Sequence, residues 1–196
     1  NYDQNFLFCD LLIIGGGPSG LLSALLTAKA GLDVILVDEN ASFGGQLRFE
    51  NTIIDGAHSK DWFDLSLYEL KTLYNVRMIS RATDYRIYDQ ANFCVLERLS
   101  HHVQHTDNNA VVDRFHRVVA SASILASGSI ERHIAFGNND RPGIMMASAV
   151  RGYLNHYGVS AGKSVSIFGN NDDAFKTAHD LNNAGVEIAA YIDSRS

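Results

Sequence analysis

The chain has 196 residues, 16 Lys and Arg against 22 Asp and Glu, and a formal net charge of −6 at pH 7. With 46% hydrophobic and 19% charged residues it can bury a core, which excludes disordered, collagen-like and coiled-coil classes. The acidic balance argues against a general nucleic-acid binder, and two cysteines, Cys9 and Cys94, are too few for a disulfide scaffold or a Cys-based zinc site and point to the reducing cytoplasm.

The greasiest stretch, FLFCDLLIIGGGPSGLLSALL, is broken by Asp10, three glycines and Pro18, so it cannot span a bilayer as one helix. No basic residue precedes it, which excludes a signal peptide. From Cys9 to Asp38 an apolar run, CDLLIIG, leads through a glycine-rich turn to a helix expected over Ser19 to Ala30, then past Gly31 to a second run, DVILVD. Continuous hydrophobicity marks strands covered on both faces, so this reads as a βαβ unit of a parallel sheet. Residues 40–56 read as a glycine-bearing loop, His58 to Tyr74 as a helix and Asn75 to Ile79 as a third strand. The runs TDYRIYD, NFCVLERLS and DRFHRVVA, separated by polar turns such as Thr106 to Asn109, predict an antiparallel meander. Ser123 to Ser127 is expected to be a separate buried strand ending at Gly128. A loop through Asn138 to Gly143 and a helix from about Ala147 to Tyr157 follow.

The last segment repeats the first. A shift of 154 residues lays Gly15 on Gly169, Gly17 on Asn171, Gly20 on Ala174, Gly31 on Gly185 and Glu39 on Asp193, with strand, helix (Asp172 to Asn183) and strand in the same order. The expected fold class is α/β: a Rossmann-like parallel sheet with an inserted antiparallel β-meander over about 83–120, then the start of a second Rossmann-like unit. The expected domains are a dinucleotide-binding domain over 1–160 and an incomplete NAD(P)-binding-like domain over 161–196. Two strands are too few to cover the helices of such a domain, and the chain begins at Asn1, so a piece of something longer is expected.

Gly15-Gly16-Gly17-Pro18-Ser19-Gly20 is a G-x-G-x-x-G run between a strand and a helix, and Asp38 ends the next strand. Gly15 is expected to make the tight turn, Gly17 to admit a diphosphate and Gly20 to allow close helix–strand packing. Asp38 either accepts hydrogen bonds from adenosine ribose hydroxyls, which favours NAD or FAD over NADP, or is a solvated strand end. Phe43-Gly44-Gly45-Gln46 either passes close to the middle of a dinucleotide or is a plain loop, and Gly128 either meets a pyrophosphate or merely turns the chain. In the second copy Asn171, Asp172 and Asp173 replace the phosphate-friendly residues with a cap and two negative charges, so no dinucleotide is expected there in the usual pose. His101, His102 and His105 have no Cys or carboxylate at ligand spacing, so no metal site is expected. Asp140 and Arg141 read as a self-paired loop. No catalytic residue can be assigned.

The stretches DVILVDENASFGGQL, ILASGSIERHIAFGNNDRPGIMMASAVRGYLNHYGV and FGNNDDAFKTAHDLNNAGVEIAAYID together resemble the alpha-subunit family of heterotetrameric sarcosine oxidases, within the two-dinucleotide-domain flavoproteins. The resemblance implies oxidative demethylation of sarcosine to glycine, formaldehyde (or methylene-tetrahydrofolate) and hydrogen peroxide. It implies NAD in this chain, FMN and FAD elsewhere in the complex, and beta, gamma and delta subunits as partners. Carried over residue by residue, the NAD contacts would be Gly15, Gly17, Pro18, Ser19, Gly20, Asp38, Glu39, Gly45, Gln46, Gly128 and, through its backbone, Ala82. Paired cysteines for disulfide exchange are absent from the sequence. Two other functions compete: a self-contained FAD-containing NADH-dependent oxidoreductase, and a non-catalytic module that docks a partner subunit.

Overall fold

The computed structural model describes residues 2–103 and 110–195. In chain order the elements are β1 (Tyr2–Ile14), α1 (Pro18–Lys29), β2 (Val34–Val37), a 3-10 turn (Gly45–Arg48), β3 (Ile53–Ile54), β4 (Ala57–His58), α2 (Ser59–Thr72), β5 (Val76–Ile79), β6 (Ala82–Tyr88), β7 (Asn92–Arg98), β8 (Asp113–Leu125), α3 (Ala147–Tyr157), β9 (Ser164–Gly169), α4 (Asp172–Asn183) and β10 (Glu187–Asp193). They form two compact units, Asn1–Gln46 with Asp61–Gly128, and Leu47–Lys60 with Ser129–Ser196.

The first unit is built on a six-stranded sheet in the order β5-β2-β1-β8-β7-β6, parallel from β5 to β8 and antiparallel beyond. Ile13, Leu36 and Leu70 pack with Leu21, Ala24 and Leu25 of α1. Leu12, Val37 and Ile79 point the other way, into a core shared with Phe93, Val95 and Val118 of the meander, so the sheet's own continuation covers its second face. The buried Asn75 ties the end of α1 to the start of β5, donating from Nδ2 to the carbonyls of Ala28 (2.9 Å) and Leu32 (2.8 Å). Cys9 and Cys94 are free thiols, both buried, and burial pushes the Cys9 thiol up to about 11.

Three expectations change. DRFHRVVA and SILAS are one 13-residue strand, β8, because no glycine or proline interrupts them and β1 pairs alongside from Tyr2↔Asp113 to Ile14↔Leu125. Residues 121–125 are exposed rather than buried, since β7 reaches only to Asn92↔Val119 and leaves the end of β8 without a neighbour on that side. β1 begins at Tyr2, well before Cys9, its first half alternating exposed and buried where apolar continuity was sought. The turn expected at Thr106 to Asn109 lies outside the described residues.

The second unit pairs β9 with β10 in parallel and packs Ile167, Ala174, Leu181 and Val186 with Val150 of α3. Residues 129–160 group with the second βαβ, because α3 shares that core. The same unit holds a two-residue hairpin, Ile53-Ile54-Asp55-Gly56-Ala57-His58, with Asp55 and Gly56 at φ 50° and 80°. Among the described residues no helix is long and apolar enough to cross a membrane.

Asp84 faces inward beside Val95, with Oδ1 buried and unpartnered among the described residues, and burial holds its carboxyl above the usual range. A carboxyl with a raised folded-state pKa costs stability once the unfolded chain ionises, and costs nothing at low pH where both states are protonated. Asp84→Asn should therefore melt above the native chain at pH 7, the gap closing on acidification through the carboxylate range. Coincident melting curves at pH 7 would contradict this.

Candidate functional site

At the carboxyl end of the parallel strands of the first unit, three backbone segments meet without intervening side chains. Gly15 lies at φ +109°, and a Cβ there would collide with the carbonyl of Ala126 just past β8. A Cβ at Gly20 would strike the carbonyl of Gly15, and one at Gly16 would strike the ring of the buried Phe43. Gly17, the residue capping α1, behaves differently: nothing lies within 4 Å of where its Cβ would sit. The space beside it is open.

The second glycine cluster is part of the same structure. Gly44 N–H donates to the Gly16 carbonyl at 2.7 Å, and the Cβ direction of Gly45 points at Gly17 Cα, 3.1 Å away. Gly44 and Gly45 both need the left-handed region, at φ +112° and +51°. Gln46 beside them is exposed, as are Pro18 and Ser19 at the start of α1. Gly128, at φ +69°, is exposed with open space around it.

Asp38 is 7% exposed, and its carboxylate is occupied. Oδ2 accepts from Gly16 N–H at 2.6 Å, while Oδ1 accepts from Asn40 N–H at 2.8 Å and Asn40 Nδ2 at 3.0 Å. The expectation of a solvated strand end fails, and the acid turned toward solvent is Glu39. Asp38 braces the loop: its carbonyl also receives Ala82 N–H at 2.8 Å. Ala82 is buried, and with that N–H committed as a donor, its other backbone polar group is the carbonyl.

The amino end of α1 has no side-chain cap and no acid in its first turn, so its first N–H groups and the positive end of its dipole stay available to an anion. The amino ends of α3 and α4 are closed by the protein itself. Glu131 supplies a carboxylate to α3, accepting from Ala147 N–H (3.0 Å) and Ser148 N–H (2.8 Å). At α4, Asn171 Oδ1 accepts from Asp173 N–H at 3.0 Å, the cap expected from sequence. Asp173 and Asp172 are not left bare. Arg151, 2% exposed, donates from Nη2 to both oxygens of Asp173 at 2.9 Å. Arg195 reaches Asp172 at 2.8 Å and holds the Asp193 carboxyl below its usual range.

His101 Nε2 lies 2.6 Å from Asp113 Oδ1, and His105 falls outside the described residues; among the described residues no group of three His, Cys, Asp or Glu could hold a metal. The loop around Asp140 and Arg141 is closed by backbone bonds, Arg141 N–H to Asn138 O at 3.2 Å and Ile144 N–H to Arg141 O at 3.2 Å, rather than by the expected pairing of those two charges.

A family model described as FAD dependent oxidoreductase matches residues 10–125. The chain is 43% identical over 194 residues to "Sarcosine oxidase subunit alpha" of Rhizobium meliloti (strain 1021), covering 99% of this chain and 20% of that protein. It is 37% identical over 197 residues to the protein of the same name from Corynebacterium sp. (strain P-1), covering 100% of this chain and again 20% of the relative. The chain thus spans about a fifth of the length of these curated relatives. Among solved structures, L-proline dehydrogenase from P. horikoshii shares the fold with a TM-score of 0.73 at 22% identity, over 97% of this chain and 36% of that one.

The glycines separate by role. Gly15→Ala and Gly20→Ala should each lower stability by about 1 to 3 kcal/mol, through strain and overpacking respectively. Gly17→Ala should leave the melting temperature of nucleotide-free protein within a degree or so, because its backbone is ordinary and its surroundings empty. Equal destabilisation by all three would show that Gly17 is merely another packing glycine.

Proposed function

The chain belongs to the FAD dependent oxidoreductase family, and on that premise we propose that it is the NAD-binding part of the alpha subunit of a sarcosine-oxidase-type enzyme. The observation that carries the nucleotide reading is the open amino end of α1, where Gly17 leaves room for a diphosphate and no protein anion competes. Gly15, Gly17, Pro18, Ser19 and Gly20 hold the pyrophosphate, with Gly45, Gln46 and Gly128 beside it. Glu39 takes the ribose hydroxyls and Asp38 fixes the loop; Ala82 contributes through its carbonyl at the adenine. The second βαβ carries no dinucleotide, since carboxylates already occupy its helix terminus.

A bound nicotinamide supplies a site for hydride. No residue of this chain is assigned to the oxidation itself. In the intact cytoplasmic enzyme, sarcosine, oxygen and water give glycine, formaldehyde and hydrogen peroxide, and the one-carbon unit leaves as methylene-tetrahydrofolate when the folate is present. FAD and FMN are carried elsewhere in a heterotetramer completed by beta, gamma and delta subunits. Within the same proposal the first compact unit holds the nucleotide and the second is the start of a second domain. The description of the matching family favours a second reading, FAD in this same site, because the adenosine diphosphate half is common to both cofactors.

Nucleotide released from the denatured full-length protein and identified by mass spectrometry decides: NAD supports the first reading, FAD with a yellow colour the second, and neither compound defeats both. Gly17→Ala should lose nucleotide while keeping its fold. Glu39→Gln should weaken retention by about 1.5 to 3 kcal/mol if a charged hydrogen bond to ribose is lost; unchanged retention would remove Glu39 from the site.

A further inference from the structure

Away from the nucleotide end, the meander turns one face inward and the other to solvent. Alternation along β1 buries Leu7 and leaves Tyr2, Phe6 and Phe8 exposed by 84%, 60% and 75%. Cross-strand register extends this outer face: Phe6 lies beside Arg117, which pairs with Cys94 and through it with Arg86. The Tyr85 and Phe115 rings meet on it at 6.0 Å, and the Arg86 guanidinium stacks over Tyr88 at 5.3 Å.

The charge on this face is one-sided. Inward, Arg114 meets Asp3 at 2.9 Å and His116 meets Glu97 at 2.8 Å, and Asp84 is shielded among apolar neighbours. Outward, Arg86, Arg98 and Arg117 are exposed, and none joins an ion pair among the described residues. From Tyr2 to Phe8 and along the three neighbouring strands, the carboxylate in line with these positions is Asp113, already held by His101. A cationic aromatic face on a chain of net charge −6 is a local reversal of sign.

We propose that this meander face docks a partner protein whose matching surface is apolar at its centre and bears carboxylates around it. Phenylalanine, tyrosine and arginine are the residues that carry interface energy when desolvated together, and exposed aromatics gathered on one face mark an interaction surface. Charge complementarity selects an acidic partner. A second copy meeting the same face about a twofold axis would set arginine against arginine. Nucleic acid gains little from three arginines on an acidic chain. The inference takes from the functional proposal only that a partner subunit exists, and not that NAD is bound.

The test uses the full-length protein purified with whatever accompanies it. In Arg86→Glu/Arg117→Glu, the amount of partner co-purified, read by native mass spectrometry, should fall at least tenfold, while adenine nucleotide content stays that of the native protein. An intact assembly in this variant overturns the proposal. Arg86→Lys/Arg117→Lys should keep the partner and allow carbodiimide coupling of the new amines to its carboxylates, so a folding failure of the first variant leaves the question decidable. Coupling to another part of the same polypeptide, coupling to a second copy, or co-purified nucleic acid lost in the glutamate variant each overturns it. A native protein running as a lone chain removes the assembly itself, whatever nucleotide it holds.

Discussion

The glycine-rich end of the first sheet depends on backbone meeting backbone at Gly15. Just past β8, the Ala126 carbonyl presses where any side chain at Gly15 would be, and α1 approaches so closely that a Cβ at Gly20 would collide with Gly15's own carbonyl. Those two contacts fix the direction in which α1 leaves the sheet. Asp38 then clamps the loop from below through Gly16 N–H, and Gly44 ties the second glycine cluster over it. Packing uses up every other glycine of the motif, and Gly17 alone is left with empty space.

The two βαβ units show one backbone plan finished in two ways. In the first, the terminus of α1 is left uncapped; in the second, an asparagine cap and two carboxylates close the terminus of α4, and arginines neutralise those carboxylates. Removing the buried Arg151 guanidinium from water is costly unless a carboxylate meets it. Asp173 meets it, and Glu50 stands 3.7 Å away. The acidity at the start of α4 is therefore structural: it anchors α3 to α4.

Much of this was legible in the sequence because each signal was local. The G-x-G-x-x-G run, the apolar strands on either side of it and the N-cap at Asn171 are all decided within a few residues. What escaped depended on partners distant in sequence. β8 reads as two strands until β1 is seen to run beside all of it, and the exposure of residues 121–125 follows from where β7 stops. Asp38 has the residue type of a ribose ligand, but a 22-residue separation hides its bond to Gly16. The Asp55-Gly56 hairpin was within reach, since that dipeptide between short apolar pairs is a turn signal.

The buried state of the two thiols has a consequence for durability. Peroxide attacks thiolate, not thiol, and Cys9, with its pKa raised to about 11, holds almost none at neutral pH. Cys94 is shut away at 2% exposure. If the proposed peroxide-forming chemistry proceeds nearby, both cysteines of this stretch are shielded from it, one by a raised pKa and the other by burial.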